Sequence, residues 1–120
     1  MAIARLGTVV LDCPDPHALA AFYAELLGGC AEDGPDGWVD LIGHGGTPLA
    51  FQAARGFVPP RYSFHDGTQQ FHLDLTVHDL DEAEEQVLAL GAKALDTDNR
   101  GRSWRVYADP AGHPFCLCAC

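Results

Sequence analysis

The sequence predicts an α+β fold built from two tandem βαβββ modules. Three observations carry that expectation. First, the chain repeats itself: residues 7–31 read GTVVLDCPDPHALAAFYAELLGGCA, and residues 72–94 read HLDLTVHDLDEAEEQVLALGAKA. Each copy has an alternating apolar run, an Asp-rich turn and an amphipathic stretch of about three helical turns. Second, the stretches stop at Leu27-Gly28 and Leu90-Gly91, which lie 63 residues apart in a chain of 120. Third, each stop is followed by short apolar runs separated by Gly, Pro and Asp clusters. Repetition on this scale means two copies of one supersecondary unit.

Taken in order, Ala4–Leu11 alternates and is rich in Val and Leu, so it reads as a strand. Pro14 and Pro16 end it. Asp15 is a good N-cap, and Pro16 suits the first helical position. The helix expected over 16–27 carries an apolar stripe of Ala18, Phe22 and Leu26, joined by Leu19 and Tyr23. Gly28-Gly29 stops it. Cys30–Glu32 is a short strand, Gly34-Pro35-Asp36-Gly37 a turn and Trp38–Ile42 a strand. Gly43-His44-Gly45-Gly46 turns into a last strand, Pro48–Ala53. This Gly-rich loop joins two strands instead of opening a helix, so it is no phosphate cradle.

Residues 55–68 lack a clear period and contain Gly56, Pro59, Pro60 and Gly67, which marks a linker between modules at 1–54 and 69–120. The stretch also holds Phe57, Tyr62, Phe64 and His65, too aromatic for a purely solvated tether. Phe71–Val77 then alternates as a strand. Asp79 caps a helix running to Leu90, with Ala83, Val87, Leu88 and Leu90 turned inward and Glu82, Glu84 and Glu85 outward. Acidic residues early in a helix suit its dipole. Ala92–Leu95, Trp104–Ala108 and Pro114–Cys120 complete the second module, with Asp109-Pro110-Ala111-Gly112 as the tight turn before the last strand.

Composition limits the function. The formal charge of −10 opposes nucleic-acid binding, which needs a basic surface, and suits attraction of a cationic small molecule. Met1-Ala2-Ile3-Ala4-Arg5 runs straight into a strand pattern, unlike a secretory leader. No apolar run approaches the roughly 20 residues that cross a bilayer. A soluble, cytoplasmic protein without a membrane partner is expected. The five cysteines then read as reduced thiols. Cys116, Cys118 and Cys120 alternate on the last strand and share a face, which fits either a soft-metal site or a terminal strand of small side chains.

The motifs resemble those of the vicinal oxygen chelate superfamily, the glyoxalase, bleomycin-resistance and extradiol-dioxygenase group. The resemblance rests on Asp12-Cys13-Pro14-Asp15 ahead of Ala21-Phe22-Tyr23-Ala24-Glu25-Leu26-Leu27-Gly28. It continues in His72-Leu73-Asp74-Leu75, Val77-His78-Asp79-Leu80 and Asp109-Pro110-Ala111-Gly112-His113-Pro114-Phe115. It covers nearly the whole chain and is strongest to small single-domain glyoxalase-like proteins. It implies that each module curls an open mixed sheet into a half-barrel and that the pair surrounds a pocket. It also implies, in metal-binding members, four His, Glu or Gln ligands from the first and last strands of each module. Carried over here, those positions fall on Gly7, Ala50, His72 and Cys116, so only His72 and Cys116 remain as metal ligands. A shift of two residues from Ala50 supplies Gln52 on the same face.

Alternation places His72, Asp74 and Thr76 toward the pocket and Phe71, Leu73, Leu75 and Val77 toward the helix. A His and an Asp two residues apart suit a general base with its orienting partner, or a polar binding strand. His72 is the candidate catalytic residue. Cys116 reads as a metal ligand, a nucleophile or a buried apolar thiol. Trp38 and Trp104 are candidate walls for a planar or cationic ligand. His17, His44, His65 and His113 read as surface residues. The ligand-binding set is thus His72, Asp74, Thr76, Trp38, Gln52, Trp104 and Cys116.

Two functions are expected from the resemblance. One is binding of a small organic molecule, cationic or aromatic, without a complete metal site or any cofactor. The other is a superfamily enzyme (lyase, isomerase or epimerase, or dioxygenase) that uses His72 as general base or as ligand to divalent Zn, Ni, Fe or Mn. Open half-barrels leave sheet edges exposed, so a homodimer is expected.

Overall fold

The computed structural model describes residues 2–98 and 100–119. The chain divides between Phe57 and Val58 into two compact units. The boundary lies within the stretch 55–68. Cys120 lies outside the described residues.

Unit 1 contains β1 (Val9–Cys13), α1 (Pro16–Leu27), β2 (Cys30–Asp33), β3 (Trp38–Ile42) and β4 (Leu49–Ala53). Unit 2 contains β5 (Leu73–Thr76), α2 (Leu80–Ala89), β6 (Lys93–Asp96), β7 (Trp104–Ala108) and β8 (Pro114–Cys118). The architecture is α+β, two βαβββ modules in tandem. The sheets have the same plan: β1-β4-β3-β2 in unit 1 and β5-β8-β7-β6 in unit 2. The first strand of each module runs parallel to its last, and the other pairs are antiparallel. Neither sheet closes on itself.

The caps behave as the sequence predicts. Asp15 accepts a hydrogen bond from the Ala18 amide at 3.1 Å, and Asp79 accepts one from the Glu82 amide at 3.0 Å. Gly28, at φ +86°, ends α1 by donating its amide to the Ala24 carbonyl. Before β8, the Asp109 side chain accepts from the amides of Ala111 and His113, which holds the tight turn.

In unit 1, α1 packs on β3 and β4. Leu19, Phe22 and Tyr23 meet Val39, Leu41, Leu49 and Phe51, all buried. Tyr23 stacks on Phe51 at 5.7 Å between ring centroids. Each such side chain contributes about 1.5–3 kcal/mol of burial free energy. Ala18, expected in the stripe, is exposed instead, because the buried face is centred on Leu19, Ala20 and Tyr23.

In unit 2, α2 covers the face carrying Leu117, Phe115, Tyr107 and Arg105. Arg105 is buried and reaches Asp81 at 2.8 Å and Glu84 at 3.5 Å. Tyr107 donates its hydroxyl to Glu84 Oε1 at 2.8 Å. These bonds set the rotation of α2. Val87 is therefore buried, while Leu88 and Leu90, expected inward, are exposed, and Glu84, expected outward, faces the sheet.

Two strand starts differ from expectation by more than one residue. The first strand is Val9–Cys13, not Ala4–Leu11. Its ladder partner β4 spans only Leu49–Ala53, so pairing begins at Val9 opposite Leu49. The fifth strand begins at Leu73, so Phe71 precedes it and is 86% exposed instead of facing α2.

Candidate functional site

The strand registers decide which side chains share a face. In unit 2, Asp74 pairs with Cys116, and Cys116 with Val106. Thr76 pairs with Cys118, and Cys118 with Trp104. These rows lie on the face turned away from Leu73, Leu75, Phe115 and Leu117. A cavity of about 500 Å³ opens on that face, within the size range of small-molecule sites.

One end of the cavity is polar. His72 Nε2 lies 3.1 Å from Asp74 Oδ1, with both side chains at least half exposed. The donor atoms of His72, Asp74 and Cys116 all lie within 4.8 Å of one another. Burial, and then the Asp74 carboxylate, push the Cys116 thiol up to about 12. Cys116 is therefore a protonated thiol at neutral pH, which counts against an activated nucleophile.

The other walls are apolar and aromatic. Val106, Cys118 and Trp104 come from the sheet, and Pro114 from the start of β8. Tyr62 packs against Val106, Cys116 and Cys118. The guanidinium of Arg102 sits 4.0 Å from the Trp104 ring centroid and grips Asp96 at 2.8 Å. This contact fixes the indole plane. Asp96 is opposite Val106, beyond a register shift in β6.

Tyr62, Phe64 and Gln69 line the cavity from the segment that precedes β5. That segment is tied internally. Arg61 and Thr68 exchange two hydrogen bonds, at 2.7 and 2.8 Å. The Gln69 side chain bridges the Ser63 backbone. Residues 61–69 thus form a folded loop over one wall.

Of the residues predicted from sequence, His72, Asp74, Trp104 and Cys116 come together at this cavity. Thr76 shares their face but does not line it. Trp38 and Gln52 lie opposite each other on β3 and β4 of unit 1, where Trp38 Nε1 donates to Asp40 at 3.0 Å. The lining belongs to unit 2 throughout. Sequence reasoning missed Gln69 and the Arg102–Asp96 pair. The aromatic content of 55–68 was the available signal for Tyr62 and Phe64.

The position in unit 1 that corresponds to His72 is Thr8, not Gly7. Counting back from the caps Asp15 and Asp79, Val10 matches Asp74, and Ala50 matches Cys116 through the same pairings. Neither Thr8 nor Ala50 supplies an imidazole or carboxylate. A four-ligand His, Glu or Gln set drawn from both modules does not fit these residues.

The chain matches the sequence profile of the glyoxalase-like domain over residues 8–118. It therefore belongs to the glyoxalase-like domain family. Solved structures show the same fold. A glyoxalase/bleomycin resistance protein/dioxygenase family enzyme from Burkholderia phytofirmans aligns with a TM-score of 0.73 at 20% identity, covering 95% of this chain and 97% of its own. The fosfomycin resistance protein FosX from Mesorhizobium loti aligns with a TM-score of 0.70 at 13% identity, covering 100% and 94%. The trypanothione-dependent glyoxalase I of Leishmania major aligns with a TM-score of 0.68 at 20% identity, covering 97% and 86%. At these identities the likeness is one of fold. No match was found among curated proteins. No helix among the described residues is long and apolar enough to cross a membrane.

Proposed function

We propose that the protein binds a small organic molecule, aromatic with a cationic or polar end, in the cavity of unit 2. One observation carries this reading: Trp104 and Tyr62 face the same cavity as the His72–Asp74 pair. A planar group would lie against the indole, and its polar end would reach the carboxylate and imidazole. The net charge of −10 favours a cation. The test is a thermal-shift screen of cationic aromatic compounds, followed by calorimetry on Trp104→Ala and Asp74→Asn. Both variants should weaken a hit by roughly tenfold, about 1.4 kcal/mol. A hit unaffected by either variant places binding elsewhere.

A second reading is enzymatic. The 3.1 Å contact between Asp74 and His72 supports a general base held by a carboxylate. Its signature would be turnover that His72→Ala abolishes while ligand affinity persists. We further propose a cytoplasmic homodimer, which would cover exposed apolar side chains such as Val58 and Phe71. Light scattering on the purified chain tests the mass.

A further inference from the structure

The structure assigns His72, Asp74 and Cys116 as a three-donor metal site that takes a thiophilic divalent ion, zinc or cobalt(II), in preference to magnesium or manganese. It goes beyond the ligand-binding reading but shares His72 and Asp74 with it, so its test reads the metal alone and no organic ligand. It starts from a disagreement: the His, Glu or Gln donors expected from two modules are absent at Thr8 and Ala50. Unit 2 instead gathers one nitrogen, one oxygen and one sulfur donor by itself.

The geometry follows from the fold. Parallel pairing of β5 with β8 sets Asp74 directly beside Cys116. His72, two residues before Asp74, falls on the same face. The three donor atoms already lie within 4.8 Å of one another. Zinc bonds of about 2.0–2.3 Å to nitrogen, oxygen and sulfur draw such atoms closer still. The His72 and Asp74 side chains, 51% and 63% exposed, are free to rotate that distance, while Cys116 is fixed in the sheet.

The donor chemistry sets the preference. A thiolate is a soft ligand and an imidazole suits zinc and cobalt, whereas magnesium and manganese favour all-oxygen sets. On binding, the Cys116 S–H bond breaks, its proton leaves to solvent, and a metal–sulfur bond forms without any redox change. The dication then offsets the charges of thiolate and carboxylate, which would otherwise repel side by side. Three protein ligands would leave room for a further ligand on a zinc ion, the pattern of catalytic rather than closed structural zinc sites.

The test is titration of the dialysed, reduced full chain with cobalt(II), read by absorption. Expected are a near-ultraviolet sulfur-to-cobalt charge-transfer band and visible bands of low-coordinate cobalt, at one equivalent. Zinc should bleach them, and a large excess of magnesium or manganese should not. Cys116→Ser should remove the charge-transfer band. Asp74→Asn, a substitution at an exposed side chain, should weaken cobalt binding by at least about tenfold. Cys30→Ser and Cys118→Ser should leave the spectrum unchanged. Circular dichroism confirms that each variant is folded. Absence of the band in the parent, its survival in Cys116→Ser, its loss in Cys118→Ser, or displacement by magnesium would each overturn the assignment.

Discussion

Replacing Tyr107 by Phe isolates a single hydrogen bond between sheet and helix in unit 2. The ring of Tyr107 is fully buried and stacks on Phe115 at 5.7 Å, and both features survive in Phe. What is lost is the hydroxyl donated to Glu84 Oε1 at 2.8 Å. A hydrogen bond to a charged group is worth about 1.5–3 kcal/mol. Glu84 is 28% exposed and keeps Arg105 at 3.5 Å, so water and the guanidinium recover part of the loss. The expected cost is therefore at the low end, about 1.5 kcal/mol. In a chain of this size that lowers Tm by about 5–7 °C. Urea unfolding followed by circular dichroism measures it, with an unchanged m-value as the check on cooperativity. Glu84→Ala should cost more, because it strands the buried hydroxyl and removes one of the two carboxylates that hold Arg105. A Tyr107→Phe cost below about 0.5 kcal/mol, within the range of neutral surface changes, would refute the reasoning. So would a reversed order of the two variants. The pH dependence adds a signed test. Burial first, and then the Glu84 carboxylate, hold the Tyr107 phenol far above its ordinary value of about 10. The folded state thus keeps a proton that the unfolded chain loses. The stabilisation is complete below about pH 10 and is lost as pH rises beyond it. Tyr107→Phe should therefore lose stability less steeply than the parent across that range.

Two further outcomes are expected. Cys116, held up to about 12 and buried, should resist alkylation at pH 8, whereas exposed Cys30 should react readily; mass spectrometry before and after unfolding reads the difference. Asp15→Ala and Asp79→Ala each remove an N-cap acceptor and should cost about 1 kcal/mol in urea unfolding.

Both helices, their caps and the β-turn before β8 were legible because their signals are local. An Asp three residues ahead of an amide, or a Gly after an apolar stripe, acts within one turn of chain. The same reading failed where a distant partner decided the outcome. Leu88 and Leu90 looked inward by hydrophobicity, but the bonds from Asp81 and Glu84 to β7 turned α2 away from that phase. Phe71 looked like a strand residue, but the β5 ladder starts two residues later. The loop holding Tyr62 and Gln69 had no periodicity to read, because its order comes from side-chain bonds to its own backbone.

By itself the sequence determined the repeat, the element order and the face on which His72 and Asp74 stand. These depend on periodicity and on contacts a few residues apart. The tertiary structure alone decided that Cys116 lies beside Asp74, that Tyr62 joins Trp104 at one cavity, and that Arg102 braces the indole. Those neighbours are set by hydrogen-bond register between strands far apart in the chain, and strand alternation assigns a face but not a partner.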